Sequence, residues 1–265
     1  MRYWNILSKN MLKHEQIVRK VVPTGNGAHV FAPKEWVGED VIIVRKIKTI
    51  KEKILEVLQP YLEYILGVYL YGSYARGEAE NDSDIDLLVI TNKKIKIKEI
   101  GFEIIAIEKD LLHKAIKIAP ILIYSALAEA KPIINSKLLE ELRNEYKPKI
   151  EDFMEYLKET KIIIEINKEI LDPYSLILRL KGIFIINQIL EDKIYLHRNF
   201  KKWILERISV DYELVYQAYK DYKRKSKIED VEVDDLKKLL ELLKKETFEL
   251  EKRVYEKKKR AGKGN

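Results

Sequence analysis

Residues 72 to 89 read GSYARGEAENDSDIDLLV, a glycine-serine pair behind one apolar run and two aspartates at the mouth of the next. In an extended strand, residues two apart share a face and lie about 6–7 Å apart along the backbone. Asp84 and Asp86 therefore project together, while Ile85 and Leu87 face the core. Two carboxylates that close repel unless something cationic sits between them. Hard divalent ions with oxygen ligands are the natural occupants, and a two-metal site suits the movement of phosphoryl or nucleotidyl groups. Upstream, Gly72 lets the backbone turn sharply after VYLY, and Ser73 offers a hydroxyl and an amide. The residues SYAR can begin a short helix whose free N–H groups favour phosphate, Arg76 adds a permanent positive charge, and Gly77 can end the turn. One element is thus suited to hold a polyphosphate and the other its metals.

Periodicity divides the 265 residues into three regions. Residues 1–47 are β-rich: short runs around Val21 and Val22, Ala28 to Ala32 and Val41 to Val44 are broken by Gly25-Asn26-Gly27 and Pro33. So short a β unit cannot close its own core and calls for a partner, which makes a homodimer through residues 17–47 an expectation. Residues 48–148 open with an amphipathic helix carrying Ile50, Ile54, Leu55, Leu58 and Leu62, bent or ended near Pro60. Three short apolar strands follow, in GVYLYGS, SDIDLLVIT and GFEIIAIEK, and helical periodicity resumes in SKLLEELRNEYK. Residues 149–265 are helical almost throughout. Asp172 and Pro173 mark a helix start, and the helix they open is apolar on nearly every side, which makes it the centre of a bundle. The predicted class is α+β: a small mixed sheet with helices on it, a C-terminal helical bundle with a basic tail, and a short β-rich N-terminal segment.

The spacing of Gly72, Ser73, Asp84, Ile85 and Asp86 resembles the signature of the DNA polymerase beta superfamily of nucleotidyltransferases, and the near-contiguous GSYARG and SDID are most similar to its small prokaryotic branch. The resemblance implies a palm-like sheet and Mg²⁺- or Mn²⁺-dependent transfer of a nucleoside monophosphate from a nucleoside triphosphate, with loss of pyrophosphate. It assigns metals to Asp84 and Asp86 and phosphates to Gly72 and Ser73. It also calls for a third acid on a neighbouring strand that shares a metal and takes the acceptor's proton. Glu103, an isolated acid in the apolar run GFEIIAI, is the candidate, although the family usually has aspartate there; Glu108 is the fallback. Within the first region, GNGAHVFAPKEWVGEDVIIV resembles the AbrB/MazE-like swapped hairpins, in which two chains interleave, often to bind DNA.

The net charge of +7 is unevenly spread: residues 1–50 carry +5, residues 252–265 carry +6, and the stretch between them is about −4. The basic termini offer a nucleic-acid contact, although a solvated helix end is the commoner use of such a tail. With no cysteine, disulfides and thiol chemistry are excluded, which fits a reducing cytoplasm. No apolar run approaches a membrane span. The four histidines are scattered without ligand spacing, so no zinc site is expected. Arg179 and Lys181 interrupt the apolar central helix; Arg179 is assigned to the cleft, as a phosphate-binding residue beside Arg76, and Lys181, two positions on, to solvent. Tyr71, Tyr74 and Tyr124 could stack a base but are more often core. A template-independent transferase is therefore expected, its acceptor hydroxyl on RNA, a protein or a small molecule. The rival readings are a DNA-binding regulator with a decayed transferase domain, and a toxin-antitoxin component that adds AMP to a partner protein.

Overall fold

The computed structural model describes residues 15–44, 47–224 and 230–261, which form two units, one ending at Lys48 and one beginning at Thr49. In the first, β1 (Val22–Thr24) and β2 (Gly27–His29) pair antiparallel, with Val22 opposite His29 and Thr24 opposite Gly27. Gly25, at φ 52°, takes the first position of the two-residue turn, where a left-handed backbone is needed. A 3₁₀ turn follows at Lys34–Trp36. The expected strand at Val41–Val44 does not form: its β-branched residues are exposed, and no described edge in this unit pairs with them. No described side chain of the unit is buried. The first residues of the chain and the end of the basic tail lie outside the described residues.

The second unit begins with α1 (Ile50–Leu58), fastened by a reciprocal cap: the Glu52 amide donates to Thr49 Oγ1 at 3.2 Å and the Thr49 amide to Glu52 Oε2 at 2.8 Å. Pro60 converts its end into a 3₁₀ stretch, Gln59–Tyr64, which leads into β3 (Ile65–Tyr71). There follow α2 (Gly72–Arg76), β4 (Ile85–Thr91), β5 (Phe102–Glu108), α3 (Leu112–Ile118), α4 (Pro120–Glu129), β6 (Lys131–Ile134) and α5 (Ser136–Glu145). The sheet runs β5-β4-β3-β6; β3 is antiparallel to both neighbours, and β4 and β5 are parallel.

Strand alternation gives this sheet two apolar faces. Val68, Leu70, Leu87 and Val89 pack with Ile54 and Leu58 of α1. Tyr69, Tyr71, Leu88 and Ile90 enter a core that continues through α3–α5 into the helices beyond, as far as Val254. Those helices are α6 (Met154–Asn167), α7 (Pro173–Leu190), α8 (His197–Leu205), α9 (Tyr212–Arg224) and α10 (Val233–Ala261). Asp172 caps α7 by accepting from the amides of Tyr174 and Ser175, at 3.2 and 2.9 Å, with Pro173 as its first residue. The helix packs against α4, α6, α9 and α10, which explains why it is apolar on all sides. No helix among the described residues is long and apolar enough to cross a membrane.

Candidate active site

The site is built where β3 ends. Tyr71 pairs with Asp86, so the next residue, Gly72, lies at the mouth of β4. Gly72 is required twice over: its φ is 69°, and a Cβ there would overlap the Asp86 carboxylate. α2 is a single turn closed by Gly77, whose amide reaches back to the carbonyls of Ser73 and Tyr74 at φ 76°.

Two acids meet across the parallel ladder, where Asp86 is the register partner of Glu103. Partners in adjacent strands share a face, so both project on the side of Tyr71, Leu88 and the helical core. Burial, and next the charge of Glu103, push Asp86 up to about 6; Arg76 and a hydrogen bond from the Ser73 amide pull the other way, and Asp84 adds a smaller upward push. Asp84 is exposed, just ahead of the strand, after a turn in which Ser83 Oγ accepts from the Glu80 amide at 2.8 Å. Burial, Asp86, Glu103 and Glu129 together hold the Tyr71 phenol protonated.

Among the described residues, no group of three or more acids or histidines stands close enough to hold an ion by itself. Asp86 and Glu103 nevertheless fit a divalent cation. They are hard oxygen donors on one face of paired strands, and a cation between them would offset the burial and, after it, the Glu103 charge that push Asp86 up. Asp84 is the third carboxylate within electrostatic reach.

The arginine of the turn is already matched. Arg76 Nε donates to Glu78 at 2.9 Å and Nη1 to the buried Glu129 at 2.5 Å, with the guanidinium 5.2 Å from the centre of the Tyr195 ring. Glu129 also accepts from the Gly72 amide. Burial raises its pKa and the Arg76 pair opposes that rise. Arg76 thus ties the turn to the end of α4. Glu78 carries the tie onward by accepting from the His197 amide at 3.1 Å, at the start of α8.

The two charges of α7 have surroundings other than those expected of them. Arg179 pairs with Glu159 at 3.2 Å and lies 4.8 Å from the Tyr156 ring, both on α6. It is not brought to the turn. Lys181 is: its Nζ lies 4.8 Å from the centre of the Tyr195 ring, and it feels Arg76, Glu129 and Glu78. Burial first, then Lys223 and Arg76, lowers Lys181 to about 8. Residues two apart on a helix point in nearly opposite directions, so the placement of Arg179 on α6 sends Lys181 to the site side. Neither Lys181 nor Glu129 is marked as a site residue by local sequence; both depend on the rotation and end-point of a helix. Of the three tyrosines, Tyr71 is buried against the core, Tyr74 packs with the α1 side, and Tyr124 donates to Asp152 at 2.8 Å.

Residues 52–169 match the family profile of polymerase beta nucleotidyltransferases. A protein of Methanocaldococcus jannaschii, named as a candidate protein adenylyltransferase, is 31% identical over 102 residues, 38% of this chain and 93% of the relative. Among solved structures, spectinomycin adenyltransferase AAD(9) from Enterococcus faecialis, crystallised with ATP and spectinomycin, aligns with a TM-score of 0.44 and 15% identity, covering 74% of this chain and 96% of that one.

Proposed function

Because this chain belongs to the polymerase beta nucleotidyltransferase family, we propose that it transfers AMP from ATP to an acceptor hydroxyl, without a template. One observation carries the reading: the register that sets Glu103 beside Asp86, at the foot of a turn whose glycine is shaped around the Asp86 carboxylate. The choice of the adenylyl group is supported by the name of the archaeal relative.

Ser73 would receive the β- and γ-phosphates with its hydroxyl and the adjoining amides of α2, while Gly72 keeps the backbone close enough to do so. The acceptor oxygen attacks the α-phosphorus, a new P–O bond forms, and the bond to the bridging oxygen breaks. Pyrophosphate leaves with that electron pair, and the hydroxyl proton passes to the exposed Glu103 carboxylate. Asp84, Asp86 and Glu103 would hold magnesium or manganese, which when bound supplies positive charge against the phosphate oxygens. Arg76 is a positioning residue here, since its guanidinium is bound to Glu78 and Glu129 and fixes the turn. Lys181 is the further cation that this neighbourhood offers to the departing pyrophosphate.

The test is incubation of the full chain with α-labelled ATP, magnesium and a cell extract, compared with Asp86→Asn and Glu103→Gln. Label should enter an acceptor with the wild type and fall about 100-fold or more with either variant, the scale expected for loss of a general base or of transition-state charge stabilisation. Equal labelling by all three proteins refutes the assignment.

A further inference from the structure

β5 is the edge of the sheet: β4 occupies one side, and among the described residues no strand pairs with the other. It is an apolar edge, with Phe102, Ile104, Ile105, Ala106 and Ile107 all half-buried. A row of free backbone groups on such a strand is a template for another extended chain. The segment before it does not close the edge. An open groove of about 740 Å³ remains, lined by Lys96, Ile97, Lys98, Phe102, Glu103 and Ala106, among others.

The ladder fixes what an added strand would meet. The Ile85 amide donates to the Gly101 carbonyl at 2.9 Å, so Gly101, and by alternation Glu103 and Ile105, turn their backbone groups toward β4. Ile104 and Ala106 turn theirs to the open side. An antiparallel strand bonded there would place one of its residues opposite Glu103 as a non-hydrogen-bonded pair, whose Cα atoms stand only about 4.5 Å apart. Opposed residues share a face, so that incoming side chain would lie on the side of Glu103 and Asp86. Glu103 also lines the groove, but by alternation its side chain projects with Asp86. The rest of the charged lining is Lys96 and Lys98 against Glu99, with Lys94 exposed nearby, so away from Glu103 the groove favours negative charge.

We propose that the free edge of β5 docks an extended acidic segment of an acceptor protein and presents one of its serine, threonine or tyrosine hydroxyls to Glu103. This rests on the reading of Asp86 and Glu103 as the transfer site and adds its acceptor class. The hydroxyl loses its proton to Glu103, its oxygen gains the α-phosphorus of ATP, and pyrophosphate departs. The product is a phosphodiester between AMP and the side chain.

The probe is a fluorescein-labelled peptide of alternating glutamate and valine around one central tyrosine. It is titrated against the full chain by anisotropy, while hydrogen exchange is followed at the β5 amides. Expected are saturable, salt-weakened binding and slowed exchange at Ile104 and Ala106. Affinity should fall about tenfold in Lys96→Glu/Lys98→Glu and in Ala106→Pro, which removes one outward N–H from an edge strand. The lysine pair is exposed, so that variant keeps the test decisive should the proline disturb folding. No binding, binding without protection of β5, unchanged affinity in the lysine variant, or protection of the same amides by an RNA oligonucleotide in place of the peptide would each overturn the proposal. None of these readouts needs turnover. Docking at β5 by a wild-type chain that never labels the tyrosine from α-labelled ATP retains the edge and overturns the transfer reading, so the two fail separately.

Discussion

Asp86 is held against its own electrostatic preference. Its ordinary value is 3.8, and burial with Glu103 alongside moves it to about 6. An acid raised on folding makes the folded state bind the extra proton, so stability falls as pH climbs from about 4 to about 6 and remains reduced above that. The ionised form is nevertheless the one a cation or a nucleotide complex needs. Asp86→Asn removes the penalty and, on the proposed function, AMP transfer with it. Its midpoint of thermal unfolding near neutral pH should exceed that of the wild type by about 2–4 °C for each kcal/mol of burial cost and repulsion relieved. The gap should close as pH is lowered through about 6, and AMP transfer by the wild type should fall over the same range. Paired melts across that range check the sign; a variant less stable than the wild type near neutral pH contradicts it. Gly72 is the companion case, since its left-handed φ and its contact with Asp86 leave room for no side chain.

At the scale of elements, what could be read in advance was whatever depends on neighbours along the chain. Strand, turn and strand around the acids follow from alternation and from Gly72, and the cap at Asp172 from local chemistry. Glu103 stood out as one acid in an apolar run. Its register with Asp86 did not, because that depends on how the segment between β4 and β5 is wound, and a run of residues does not reveal its path. Likewise the apolar content of α7 announces a buried helix without announcing its rotation. The rotation it takes puts Arg179 against Tyr156 and Glu159 on α6 and leaves Lys181 facing Tyr195. Glu129 was hidden for the same reason, paired with an arginine 53 residues away. The seam between α6 and α7 offers a direct check. Gly182 packs against the Tyr156 phenol, where a Cβ would overlap the ring. Gly182→Ala should therefore destabilise the chain by about 1–3 kcal/mol, the usual cost of overpacking, which denaturant titration would measure. A neutral or stabilising result would mean that α6 and α7 can part without loss.

Across the molecule, composition marked the strands and the bundle as separate regions, while the structure joins them through one core running from Tyr69 to Val254. The charged turn reaches the same helices by a second route, through Arg76, Glu129, Glu78 and His197. The unit ending at Lys48 has no buried side chain among its described residues. The central claim is that Asp86 and Glu103, beside Gly72 and Ser73, are the place where nucleotide and divalent ion are held. Titration calorimetry of ATP with manganese into wild type, Asp86→Asn and Glu103→Gln tests it without any acceptor. Saturable binding by the wild type, weakened about tenfold or more by each substitution, is the result expected from loss of one charged ligand; equal affinity in all three proteins would contradict it.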